Sequence, residues 1–130
     1  MDHKLPKLTP PEFKIMKAVW DRKNLTVTEI MKAVNSESPK KTTRSTIQVQ
    51  IRRLEEKGWL EHGIEGNTFF HFATVLRENA SMAIVQDVNE RIFGGSCAEL
   101  VKSLLGGSQK ISSTELKKIR TLIDEYEDEG

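Results

Sequence analysis

Residues 40–59, KKTTRSTIQVQIRRLEEKGW, carry the side chains best suited to act on another molecule, and the action they suit is reading a nucleic-acid groove. At about 100° per residue, Ile47, Ile51 and Leu54 fall within about 60° of one another, a narrow apolar stripe for a core. Ser45, Val49 and Arg52 fall on the opposite side, with Gln48 on one flank. Arg and Gln hydrogen-bond base edges in the major groove, a small apolar group meets the thymine methyl, and hydroxyls hold phosphates. Lys40, Lys41, Thr43, Arg44 and Thr46 crowd the start of the same helix with basic and hydroxyl groups. An ordinary amphipathic surface helix shows the same pattern, so the surroundings must decide.

The helix starts supply a contrast. Four are marked by a Ser or Thr followed three residues later by Glu: Thr9 with Glu12, Thr26 with Glu29, Ser96 with Glu99, and Ser112 with Glu115. The helix opening at Thr43 breaks that rule, because Thr46 stands where the Glu would be. A carboxylate there would favour the helix dipole by about 0.3–1 kcal/mol. Its absence makes sense if a phosphate takes the place, since helix N-termini bind anions through free N–H groups.

The elements that must position this helix follow on either side. The first helix, with Pro10 at its start, is expected to turn Phe13, Met16, Val19 and Trp20 inward. The second presents Val27, Ile30, Met31 and Val34 and stops by Pro39. After Gly58 the pattern changes to strands: residues 59–64, the turn-rich Glu65-Gly66-Asn67, then residues 68–73. Leu25 would add one short third strand. Three helices and a hairpin within about 65 residues is the winged helix-turn-helix order.

The rear half reads as helical. Ile84, Val88 and Ile92 recur every four residues in a helix over 75–93, which Gly94-Gly95 ends. A short helix over 96–105 shows Leu100, Val101 and Leu104. The last shows Leu116, Ile119, Ile123 and Tyr126, a spacing suited to a helix–helix seam, before an acidic end at 124–129 expected to fray. So few residues make a weak core alone, and such helices usually bury their apolar faces against a second copy. The fold class expected is therefore mainly α with a small β-hairpin: a winged-helix domain over 1–74 and a helical dimerisation domain over 75–130.

Composition sets the outer bounds. The chain has 130 residues, 30 % charged and 37 % hydrophobic, the balance of a folded, soluble protein. Net charge is only +1, yet residues 1–72 carry 13 Lys/Arg against 9 Asp/Glu, and residues 73–130 carry 7 against 10. A basic front and an acidic rear suit a DNA-binding half joined to a partner-binding half, although a chance distribution would also serve. The start, MDHKLPKL, lacks a signal-peptide core, no apolar run approaches the roughly 18 residues of a membrane span, and Cys97 is the single cysteine. A cytoplasmic protein without stable membrane association is expected.

Other chemistries fare worse. His3, His62 and His71 lack metal-ligand spacing, and two histidines facing each other across a hairpin are more often sheet residues than ligands. Cys97, at a helix start, reads better as a small buried packing residue than as a reactive thiol. Trp20, Trp59, Phe69 and Phe70 suit a small core better than base stacking. With no phosphate-binding loop, dinucleotide motif or nucleophile–base pair, no enzyme, metal or cofactor is expected.

With these motifs placed, the chain resembles the penicillinase-repressor family, the BlaI/MecI/CopY group of bacterial transcriptional repressors. The matching stretches are LTPPEFKIMKAVW, LTVTEIMKAVN, STIQVQIRRLEEKGWL, EGNTFFHF and RIFGGSCAELVKSLL, of which FGGS-x-x-x-LV is the most specific. The resemblance implies a homodimer that binds a palindromic operator through the winged helix and dimerises through its C-terminal helices. It implies a recognition helix over 43–57, with contacts from Arg44, Ser45, Thr46, Gln48, Val49 and Arg52, and phosphate contacts from Lys40 and Lys41. The dimer set would be Ile92, Leu100, Val101, Leu104, Leu116, Ile119 and Ile123.

Three departures from the family pattern stand out. The hairpin tip, residues 63–67, has no Lys or Arg where many relatives are basic. Antibiotic-responsive relatives are cut by a sensor protease at an Asn-Phe bond, whereas the matching pair here is Ser103-Leu104. Copper-responsive relatives carry C-terminal Cys-x-Cys pairs, and this tail has no cysteine. A winged helix used as a protein-interaction module in a larger complex stays open as the alternative, and the wing without Lys or Arg favours it.

Overall fold

The first two helices begin where their capping boxes place them. In the computed structural model, which describes residues 5–107 and 110–129, Thr9 accepts from the Glu12 amide while its own amide donates to the Glu12 carboxylate at 2.7 Å. That pair opens α1 (Pro10–Arg22), and Thr26 with Glu29 opens α2 (Val27–Ser36) in the same reciprocal way. Next come α3 (Arg44–Glu56), strands β1 (Leu60–Glu65) and β2 (Thr68–Ala73), α4 (Arg77–Phe93), α5 (Cys97–Leu105) and α6 (Ser113–Glu129). Among the described residues these are six helices and one two-stranded antiparallel sheet, and the fold is a winged helix followed by three helices.

The end of α3 shows how local chemistry sets the entry to the wing. Gly58 follows the helix at φ +83°, a conformation costly for any residue with a Cβ. Its amide donates to the Glu55 carbonyl and the Trp59 amide to the Leu54 carbonyl, two helix-end acceptors that would otherwise lack partners. Trp59 and Leu54 then bury together in the core. The hairpin pairs Glu65 with Thr68 across Gly66-Asn67, and Gly66 takes φ +64°, the sign a type II′ turn requires at its first central position.

Ile15, Met16, Val19, Ile30, Val34, Ile47, Ile51, Leu54, Trp59 and Leu60 fill one core under α1, α2, α3 and the hairpin. Phe13, expected inside, is 38 % exposed. It lies about 100° round α1 from Glu12, and Glu12 takes the inward position instead, fully buried. The Lys57 ammonium meets that carboxylate at 2.7 Å. Burial alone would push the Glu12 carboxyl up, but hydrogen bonds from Lys57 and Thr9 outweigh it and hold the group below the ordinary carboxylate range. Leu25 joins the sheet by a single bridge to His71, one residue where a short strand was expected. Helix α4 begins later than the 75 expected, because Thr74 and Val75 are tied to the Trp59 carbonyl and the Trp20 indole N–H instead.

The chain divides into two compact units, Met1–Val85 and Gln86–Gly130, the division falling inside α4. In the second unit neither α5 nor α6 buries a residue. Ile92, Val101, Leu104 and Ile123 are exposed, while Leu100, Leu116 and Ile119 are half-buried. Cys97, expected to be buried, is exposed, with the Asn89 side-chain amide 3.7 Å from its sulfur. The acidic end expected to fray continues α6 as a helix to Glu129, although its side chains are solvated as expected. No described helix is long and apolar enough to cross a membrane.

Candidate nucleic-acid interface

Helix α3 buries Ile47, Ile51 and Leu54 and leaves Ser45, Gln48, Val49 and Arg52 exposed on its other side. Core packing thus fixes which face α3 turns outward. Thr43 caps the helix, accepting from the Thr46 amide at 3.3 Å and donating its hydroxyl proton to the Thr46 Oγ1 at 3.0 Å. No acidic residue stands in the first turn, so α3 itself places no carboxylate at the positive end of its dipole. Lys40, Lys41 and Arg44 are exposed around that end. The structure therefore gathers all nine candidate contact residues on α3 and the turn before it.

Three further residues shape this surface without having been singled out from the sequence. Asn35, near the end of α2, donates its side-chain amide to the Thr42 carbonyl at 3.1 Å and accepts from the Thr42 amide at 2.8 Å. Its own carbonyl accepts from the Lys41 ammonium at 2.8 Å. One asparagine thereby holds both backbone groups of the residue that precedes the α3 cap. Thr28, in the first turn of α2, accepts a hydrogen bond from the Arg44 guanidinium at 2.6 Å. Glu55, at the far end of α3, faces the wing.

There the Glu55 carboxylate meets His62 Nδ1 at 2.8 Å and His71 Nδ1 at 3.5 Å. His62 and His71 pair directly across β1 and β2, so α3 and both wing strands share one ionisable cluster. Burial pushes the His71 imidazole below its ordinary value, against a smaller upward pull from Glu55 and with a further downward push from His62. A histidine held neutral by folding stabilises fully above its unfolded pKa, near 6.5, and loses that contribution as pH falls toward its lower folded value. The urea midpoint of the protein should therefore drop between pH 7.5 and 5.5. His71→Phe should flatten that drop, and an equal drop in the variant would show that His71 is not its source.

In the wing, one pair back from the turn, Ile64 and Phe69 face each other in register, both exposed although Phe69 was expected in the core, and residues 63–67 bring no cation. Among the described residues no group of three or more His, Cys, Asp or Glu side chains is arranged to hold a metal ion, and His3 lies outside them.

Three helices with a hairpin wing and an outward-facing third helix define a winged-helix protein. A family model described as penicillinase repressor matches residues 8–125, and the chain belongs to that family. It is 24 % identical over 123 residues to the penicillinase repressor of Bacillus licheniformis, covering 95 % of this chain and 94 % of that one. The fold is similar to the solution structure of the Bacillus licheniformis BlaI monomeric form in complex with the blaP half-operator. There the TM-score is 0.50 and the identity 28 %, over 58 % of this chain and 90 % of that one. A MarR family protein from Bacillus stearothermophilus matches in fold, with TM-score 0.51 and 16 % identity over 95 % of this chain and 76 % of that one.

Proposed function

We propose that this protein is a transcriptional repressor that binds a palindromic DNA operator as a homodimer, reading each half-site with α3. The observation that carries the reading is the division of α3 into a buried Ile47/Ile51/Leu54 face and an exposed Ser45/Gln48/Val49/Arg52 face behind a basic start free of carboxylates. Major-groove recognition needs that combination, with positioning by phosphates and specificity from base edges. The BlaI structure with a half-operator supports it from a related chain.

In this reading residues 1–74 bind DNA and residues 75–130 form the dimer. The exposed apolar side chains of Ile92, Val101, Leu104 and Ile123 are the ones a second copy would cover, together with Leu100, Leu116 and Ile119. An inducing signal then releases the operator. One route is cutting by a sensor protease between Ser103 and Leu104, exposed in the last turn of α5, which would separate α6 from the DNA-binding half. An intact chain, weighed by mass spectrometry while target genes are derepressed, excludes that route. The exposed acidic Glu61 and Glu65 and the exposed apolar Ile64 and Phe69 of the wing favour a second reading, a winged helix that docks on another protein.

Duplex-binding measurements on two variants distinguish the readings. Arg44→Ala should weaken binding to all duplexes and lower the salt slope by about one counterion. Gln48→Ala should instead relax sequence preference, losing about 1–3 kcal/mol at one base position. Equal losses on specific and random DNA for Gln48→Ala would remove its base-reading role, and no loss for either variant would favour protein docking.

A further inference from the structure

We infer that Thr28 is a positioning residue for DNA binding: it holds Arg44 across the angle between α2 and α3, aimed at the phosphate backbone rather than at a base edge. The inference rests on the operator-binding reading and assigns a division of labour within it. Arg44 lies roughly 100° round α3 from the centre of the Ser45/Val49/Arg52 face, at the margin that looks toward α2. Its guanidinium donates to the Thr28 hydroxyl at 2.6 Å, between residues sixteen apart in the chain.

The chemistry of the partner matters. A guanidinium has five N–H donors in a fixed fork, so one bond to Thr28 leaves four for a phosphate. A hydroxyl also fixes direction without neutralising the charge, as a carboxylate would. The nearest carboxylate on α2, Glu29, is occupied by its capping box, accepting from the Thr26 amide at 3.0 Å. Thr28 and Asn35 are seven residues apart, two turns of α2, and therefore lie along one side of it. Asn35 braces Thr42 and Lys41 while Thr28 braces Arg44. One side of α2 thus orders the basic entrance of α3 before DNA arrives, which reduces the conformational cost of binding.

Thr28→Val removes the acceptor while keeping shape and branching. On the full-length protein its affinity for an operator duplex and for a random duplex should fall together, by about three- to tenfold. Its salt slope should match wild type, because Arg44 keeps its charge. Thr28→Ser should restore affinity. In an Arg44→Ala background, Thr28→Val should have no further effect, since the group it positions is gone. An additive loss in that background, or a Thr28→Val loss confined to the operator sequence, would overturn the inference. Thermal unfolding midpoints equal to wild type keep folding out of the comparison. Failure of the wild-type chain to bind any duplex is a different result, which removes the operator reading itself.

Discussion

Replacing Leu104 and Ile123 together by glutamate is expected to leave a folded monomer whose operator affinity is lower by about 100-fold or more. The two side chains are 66 % and 52 % exposed within the chain, so their loss removes nothing from its core. The winged-helix unit keeps its own core under α1, α2 and α3. In the proposed dimer, what disappears is the attachment between copies, and with it the gain from binding two half-sites at once. Half-sites in such an arrangement lie about 34–36 Å apart, or a multiple of that. Sedimentation velocity at micromolar concentration checks the first step and fluorescence anisotropy with a two-half-site duplex the second. A wild-type chain that sediments as a monomer, or a variant that stays dimeric, would contradict the assignment of these helices.

Lys57→Met should give the largest loss of stability, about 2–3 kcal/mol at neutral pH. Glu12 is fully buried, and removing the cation that faces it leaves a carboxylate with only the Thr9 amide as its close partner. Breaking a buried pair typically costs about 3–5 kcal/mol, and the partial exposure of Lys57 lowers that figure. Because the folded Glu12 carboxyl lies below its ordinary value of 4.5, its contribution is present above that value and is lost as pH falls through the folded pKa. The difference between variant and wild type should therefore be full at pH 7 and shrink as pH falls below 4.5, where the unfolded chain takes up the proton first. Urea titrations at pH 7 and pH 3.5 measure it. A difference that does not change with pH would assign the loss to packing of the lysine stem.

Local pattern carried much of this molecule. The cap at Thr43, the limits of α3 and the register of the hairpin all follow from interactions a few residues apart, which a sequence displays directly. Contacts over longer separations were hidden. Glu12 read as the acid of a capping box, and its second role as a core residue depends on Lys57, 45 positions away. Thr28 looked like any residue of a first turn until packing brought Arg44 against it. Nothing near Glu55 in the sequence marks it, because the two histidines that the wing folds onto it lie 7 and 16 positions away. Asn35 is the one that left a trace: Asn side chains readily hold nearby backbone groups in turns, and it stands just before the turn. The persistence of α6 through its acidic end was missed because charge alone argued for fraying, while the helix keeps its backbone bonds to Glu129.

Whether α3 reads a DNA sequence is decided by one titration. Fluorescence anisotropy of the full-length protein should be followed against duplex from the region upstream of its own gene and against a shuffled duplex of equal composition, at matched salt. Tighter binding to the upstream duplex by about 1,000-fold or more, lost sequence-selectively in Gln48→Ala, is the result expected of a specific repressor. Equal affinity for the two duplexes, or binding to neither, would contradict it.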